Sequence, residues 1–128
     1  FLLINQLYMT FKPLATSANQ EARNNFLPSN DDKVLTMREW VLNEWDKVGQ
    51  RETAYKIITC ESNWKINAVN GNTNKTSDLS LYQFNTIHVK SGFIDLKCLS
   101  DYKCQTFKAI EMWKKQGWTP WVCLKYVN

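Results

Sequence analysis

The sequence predicts an α+β fold that is mainly helical and includes a small antiparallel β-sheet. Two observations carry this prediction. In three separate segments apolar residues recur at intervals of three and four, the spacing of a helix with one buried face. Between the second and third of these segments, a turn-rich stretch precedes a run of alternating apolar and polar residues, which is typical of a half-buried strand.

The first helix is predicted over residues 32–47. Helix N-cap candidates occupy positions 29–31, immediately before it, and Gly49 ends it. Because a stripe of this kind is usually buried, we expect it to pack in the core. The stripe comprises Val34, Leu35, Met37, Val41, Leu42, Trp45 and Val48.

A second helix is predicted over residues 52–61, which places Glu61 at or near its C-terminus. The helix dipole disfavours negative charge at that end, so dipole and burial together would raise the pKa of a carboxyl group held there. The positions expected to face inward are Ala54, Tyr55, Ile57, Ile58 and Cys60.

The sheet is expected to follow the second helix. Residues 67–75 are rich in asparagine and other turn formers, and residues 79–85 alternate apolar with polar side chains. A third helix is predicted over residues 101–116, marked by Phe107 and Trp113 and stopped by Gly117.

Length and composition suit one globular domain, since the 128 residues are 44% hydrophobic. Residues 1–18 are consistent with a truncated signal peptide or with an N-terminal arm, residues 19–30 with a linker, and residues 31–128 with the domain. The first segment is too short and too polar to span a bilayer, so no stable membrane insertion is expected. The net charge of +4 would attract an anionic polymer without specifying which one, and a solvated basic face is the alternative. No basic run interleaved with aromatics suggests nucleic acid.

Four cysteines are present, Cys60, Cys98, Cys104 and Cys123, and they permit three pairings. Neither a CxxC motif nor a Cys/His spacing suited to zinc occurs, so no metal site is expected. An even cysteine count in a small domain favours an oxidising compartment, with free buried thiols as the alternative. We expect a surface or structural role for the single histidine, His88, because no Cys or His lies near it in sequence.

Glu61 and Asp78 are the candidate catalytic residues. Cleavage of a glycosidic bond needs a proton for the departing oxygen and a negative charge or nucleophile beside the developing cation. Two carboxyl groups in unlike environments supply both. Glu61 follows the apolar residues of the second helix, whereas Asp78 follows the polar residues 74–77.

The residues around this pair resemble the signature of chicken-type lysozymes and their bacterial lysozyme-like relatives, which reads E-S-N-F, A-x-N and T-D-Y-G-L-x-Q-I-N. The likeness runs without a gap over residues 61–85, and Glu61 and Asp78 lie 17 positions apart, the family's spacing of acid and nucleophile. It extends more loosely to residues 109–110 and 116–121. The matching segments are Glu61-Ser62-Asn63-Trp64, Asn67-Ala68-Val69-Asn70, Asn72-Thr73 and Ser77-Asp78-Leu79-Ser80-Leu81-Tyr82-Gln83-Phe84-Asn85.

The resemblance implies a lysozyme-like fold in which the sheet flanks a cleft, and the activity of a peptidoglycan-cleaving muramidase. Glu61 would be the general acid and Asp78 the nucleophile or electrostatic stabiliser of the bond between N-acetylmuramic acid and N-acetylglucosamine. A secreted or periplasmic monomer without a cofactor is expected. The expected substrate-binding residues are Asn70 and Asn72 along the groove, Gln83 and Asn85 in the strands beneath it, and Trp118 and Trp121, with Trp121 packed on the acid.

Two departures from the family pattern bear on these expectations. Ser80 replaces a glycine two positions after the nucleophile position, where a positive φ angle or a close approach of the backbone is expected and a serine could strain or reshape the turn. Vertebrate members also carry more cysteines at other positions, which favours the bacterial relatives; the pairing expected here is Cys60 with Cys123 and Cys98 with Cys104.

Two other readings remain open. A lytic transglycosylase shares this fold and uses one glutamate, here Glu61, while the sugar's own hydroxyl closes an anhydro ring. A noncatalytic glycan-binding member of the fold is the second alternative, because the same fold can include members that have lost the reaction. The presence of both carboxylates counts against it.

Overall fold

The structure, a computed structural model, describes residues 34–127, and from Leu35 onward these form one compact unit. An α+β architecture is confirmed, with five α-helices and a three-stranded antiparallel sheet in the described residues. The helices are α1 (Met37–Asp46), α2 (Arg51–Ser62), α3 (Thr86–Lys90), α4 (Tyr102–Gln116) and α5 (Leu124–Val127), with a 3-10 turn at Cys98–Ser100. The strands are β1 (Val69–Gly71), β2 (Ser77–Leu79) and β3 (Phe84–Asn85).

Helix α1 begins later than predicted. Thr36 and Glu39 form a capping box in which each side chain accepts the other residue's backbone N–H, at 3.2 and 3.1 Å. Residues 34–36 therefore precede the helix, and the prediction that Val34 and Leu35 belong to its buried stripe is wrong. The predicted N-cap candidates at 29–31 lie outside the described residues. Val41, Leu42 and Trp45 are buried as predicted.

Helix α2 carries the candidate acid. Glu61 is its penultimate residue, and Asn63 ends the helix in the left-handed conformation with φ 51°. The buried face comprises Ala54, Ile57 and Ile58, while Tyr55 and Cys60 are exposed, contrary to prediction. Their positions follow from helix geometry, because the buried face is only about a third of the circumference.

Helix α4 ends at Gln116, as predicted, and begins at Tyr102, one residue later than predicted. The Asp101 carboxylate caps its start by accepting the backbone N–H of Lys103 and of Cys104, at 2.9 and 3.3 Å. Gly117 ends the helix with φ 62°, a conformation that glycine adopts at little cost. Helix α1 packs against both α2 and α4, which places the apolar faces of these three helices in one core.

The predicted sheet is present, in the order β1-β2-β3. The alternating run over residues 79–85 is not one strand, because a tight turn interrupts it between β2 and β3. Ser80 and Gln83 have φ angles of 68° and 53° in this turn. Leu81 and Tyr82 between them are fully buried, so the turn anchors the sheet to the helical core.

Two disulfides join Cys60 to Cys123 and Cys98 to Cys104, the pairing that the resemblance implied. The first ties α2 to the segment before α5, and the second ties the 3-10 turn to α4. Among the helices of residues 34–127, none is long and apolar enough to cross a membrane.

Candidate active site

A cleft of about 260 Å³ lies between the end of α2 and the sheet, and both candidate carboxylates line it. The other residues in its walls come from the β1–β2 hairpin, the turn before β3, β3 itself, α3, α4 and the segment before α5. They are Asn72, Tyr82, Gln83, Phe84, Asn85, His88, Met112, Pro120, Trp121 and Val122.

Glu61 is half-buried in this cleft, and burial raises the pKa of its carboxyl group. The charge of Asp78 also raises this pKa, while a hydrogen bond from the backbone N–H of Cys123 to Oε1 at 3.0 Å lowers it. The net effect is upward, as the sequence predicted from the position of Glu61. A proton on Oε2 is compatible with this hydrogen bond, because Oε1 then accepts as a carbonyl oxygen.

The Cys60–Cys123 disulfide reinforces the environment of Glu61. Cys60 precedes Glu61 in α2, and Cys123 provides the N–H that the carboxyl group of Glu61 accepts. The same two residues therefore join α2 covalently to the segment before α5 and supply a hydrogen-bond donor to Glu61. Sequence reasoning did not find this donor, since a backbone group leaves no signature in residue identity.

Asp78 occupies the middle of β2, opposite Asn70 on β1 and Asn85 on β3. The side-chain Nδ2 of Asn85 donates to Asp78 Oδ1 at 2.9 Å and to Thr76 Oγ1 at 3.0 Å. Its Oδ1 accepts the N–H of Ile87 and so caps α3, at 3.1 Å. Asn85 thus positions the carboxylate, in keeping with its predicted place in the strands beneath the groove.

The turn after Asp78 accommodates Ser80, the serine where the resembled signature has a glycine. Ser80 has a φ angle of 68°, as expected for that position, and its hydroxyl donates to Leu99 O at 2.8 Å. Gln83 closes the turn by donating from Nε2 to Ser80 O at 2.8 Å, and its Oε1 accepts from Asn70 Nδ2 at 2.7 Å. Asn70 and Gln83 are thus engaged with each other, and only Gln83 of the two lines the cleft.

Trp118 and Trp121, the two tryptophans predicted to contact the substrate, occupy different positions in the structure. Trp121 lines the cleft and donates from Nε1 to the backbone oxygen of Tyr82 at 3.1 Å. Trp118 does not line it: its ring packs 4.7 Å from that of Trp45 and 5.1 Å from that of Trp121, and its Nε1 donates to Gln50. Trp118 is 9% exposed and packs in the core, so the structure does not bring it to the cleft.

Asn72 lies at the end of the β1–β2 hairpin, where its Nδ2 donates to Thr76 Oγ1 at 3.1 Å, and it lines the cleft as predicted for the groove. Six residues in the walls were not predicted as site residues: Tyr82, Phe84, His88, Met112, Pro120 and Val122. Tyr82 is buried, accepts from Trp45 Nε1 and donates to Thr106, while His88 is half-buried. The fold class and site together describe a disulfide-linked α+β protein with a two-carboxylate cleft.

Comparison of the chain with protein-family models, with curated proteins and with solved structures finds no match. In the described part of the chain, no group of three or more His, Cys, Asp and Glu side chains could hold a metal ion.

Proposed function

We propose that this protein is a peptidoglycan-cleaving glycoside hydrolase with a lysozyme-like fold. It hydrolyses the bond between N-acetylmuramic acid and N-acetylglucosamine, with Glu61 as general acid and Asp78 as nucleophile or electrostatic stabiliser. The proposal rests on one observation: two carboxyl groups line one cleft and lie in different environments. Burial raises the pKa of Glu61, whereas Asp78 accepts an amide hydrogen bond on the opposite, sheet-side wall.

The roles follow from these settings. A carboxyl group with a raised pKa keeps its proton at higher pH, so Glu61 can transfer it from Oε2 to the departing glycosidic oxygen. As that bond breaks, positive charge develops on the sugar ring, and a carboxylate across the cleft stabilises it or bonds to it. The amide of Asn85 fixes the Asp78 carboxylate in place for this interaction, so little rearrangement is needed during the reaction.

The net charge and the two disulfides support the proposed substrate and cellular compartment. Between residues 34 and 127 there are 13 Lys and Arg against nine Asp and Glu, an excess that favours association with an anionic cell-wall polymer. The two disulfides support an oxidising compartment, and we propose that the protein is secreted or periplasmic and acts as a monomer.

The first experiment measures the clearing of a suspension of peptidoglycan or of bacterial cells. We expect wild-type protein to clear it and Glu61→Gln to lose at least about a hundredfold of the rate, the usual contribution of a general acid. Glu52→Gln is the matched control, because Glu52 is an exposed glutamate of the same helix, paired only with Lys56 at 3.2 Å. Equal clearing by Glu61→Gln and wild type would contradict the assignment of the acid.

The second experiment separates hydrolysis from the alternatives. Asp78→Asn should lose most of the activity, and mass spectrometry of the wild-type digest should find reducing ends. Anhydro ends, together with full activity of Asp78→Asn, would instead identify a lytic transglycosylase. Binding of glycan strands without any cleavage, by wild type and by Glu61→Gln alike, would identify a noncatalytic binding protein.

A further inference from the structure

His88 lies in the wall of the cleft, and the reaction proposed above does not use it. It belongs to α3, the short helix that packs against β2 and β3 and is capped by Asn85. The side chain that positions Asp78 therefore also fixes the start of the helix that carries His88.

The imidazole ring is held by aromatic neighbours. Its centroid lies 6.4 Å from that of Phe84 and 5.8 Å from that of Phe93, in edge-to-face arrangements with interplanar angles of 83° and 62°. The backbone oxygen of His88 accepts from Ser91 Oγ and from the N–H of Ile94, at 3.1 and 3.2 Å. Both the backbone and the ring of His88 thus have defined positions beside the cleft.

The ring nitrogens have no such partners. Within residues 34–127, neither nitrogen of His88 takes part in a hydrogen bond or an ion pair with another residue. Burial lowers the pKa of His88, and this outweighs the charge of Asp78, which raises it. A neutral imidazole has one donor and one acceptor nitrogen, the pair that complements a sugar hydroxyl or an acetamido group.

We propose that His88 is a specificity-determining residue that hydrogen-bonds the saccharide on the sheet side of the cleft, on the same wall as Asp78. This inference rests on the proposed function, since it presupposes a saccharide in the cleft. Because His88 contacts the substrate in the ground state and the transition state alike, it contributes to KM and not to kcat.

Nuclear magnetic resonance of the ring offers a direct test. His88 is the only histidine of the chain, so its imidazole nitrogen resonances need no assignment. We expect them to shift when a trimer of β-linked N-acetylglucosamine is added to Glu61→Gln protein, which keeps the substrate intact. Saturable binding of the trimer without any shift of these resonances would overturn the proposal.

A substitution provides the second measurement. His88→Phe retains a ring between Phe84 and Phe93 but removes both nitrogens, so it separates hydrogen bonding from packing. In the Glu61→Gln background we expect this change to weaken trimer binding about three- to tenfold, the effect of one neutral hydrogen bond. In the active enzyme, KM should rise by the same factor with kcat nearly unchanged. Unchanged affinity would refute the role of His88.

Different outcomes refute the proposed function and the role of His88. If the trimer binds neither wild type nor Glu61→Gln, the saccharide cleft itself is wrong and the inference about His88 falls with it. If the trimer binds and wild type cleaves peptidoglycan, but His88→Phe behaves as wild type, only the inference about His88 is refuted.

Discussion

The Cys60–Cys123 disulfide closes a loop of 63 residues, and we expect its removal to cost much of the protein's stability. The conformational entropy that such a closure removes from the unfolded chain corresponds to about 4 kcal/mol at room temperature. The total free energy of unfolding of a typical domain is about 5–15 kcal/mol. Replacing both cysteines by alanine should therefore lower the free energy of unfolding by about 4 kcal/mol.

The second disulfide provides a matched control. Cys98 and Cys104 are separated by six residues, for which the same relation gives about 2 kcal/mol. Each bond has one buried cysteine, Cys98 or Cys123, at 3% and 7% exposure, so the cavities left by alanine are of similar size. The difference between the two double variants isolates the effect of loop length.

Urea unfolding followed by tryptophan fluorescence measures both variants against wild type. We expect the Cys60/Cys123 variant to be the less stable of the two by about 2 kcal/mol. It should also lose activity at a temperature where it is folded, since the N–H that contacts Glu61 is no longer tethered to α2. Equal losses of stability, or a larger loss for the short loop, would show that the stabilisation does not depend on the length of the closed loop.

Three further predictions concern the cleft. Burial raises the pKa of Glu61 in the folded protein above its value in the unfolded chain. The stability that Glu61 contributes is therefore present below the unfolded pKa and is lost as pH rises through the folded pKa. Glu61→Gln should have a higher Tm than wild type at neutral pH but not in acid. Asp78→Asn removes a charge that raises the pKa of Glu61, so a carboxyl NMR titration should find that pKa lowered, and an unchanged value would show that the two groups do not interact. Ser80→Ala should lose about 1 kcal/mol with the bond to Leu99, whereas Ser80→Gly should stay near wild type, because relief of the positive φ angle offsets that loss. If urea unfolding finds Ser80→Gly as destabilised as Ser80→Ala, relief of the positive φ angle does not offset the lost hydrogen bond.

Helix ends were predictable where a single residue determines them. Asp101 and Gly117 bound α4 because a carboxylate cap and a positive φ angle are local properties of those residues. The start of α1 was missed although the Thr36 and Glu39 capping box is present in the sequence, because apolar residues before it extend the helical spacing. Periodicity alone cannot tell whether the first apolar residues belong to the helix.

The two carboxylates could be found from sequence because their spacing and neighbours form a continuous motif. His88 and Trp118 could not be placed, because their positions depend on how segments pack in three dimensions. Helix α3 has five residues, too few for a helical pattern, so nothing in the sequence brings His88 to the cleft. The loop that carries Trp118 turns inward onto Trp45, which residue identity does not determine.

The side chain of Asn85 has all its hydrogen-bonding atoms engaged, with Nδ2 on Asp78 and Thr76 and Oδ1 on α3. An aspartate of nearly the same shape would keep the helix cap but would turn an attractive contact with Asp78 into repulsion between two anions. In the proposed reaction, replacement of this one asparagine by aspartate would therefore disturb the charge of Asp78 while leaving the cap of α3 in place.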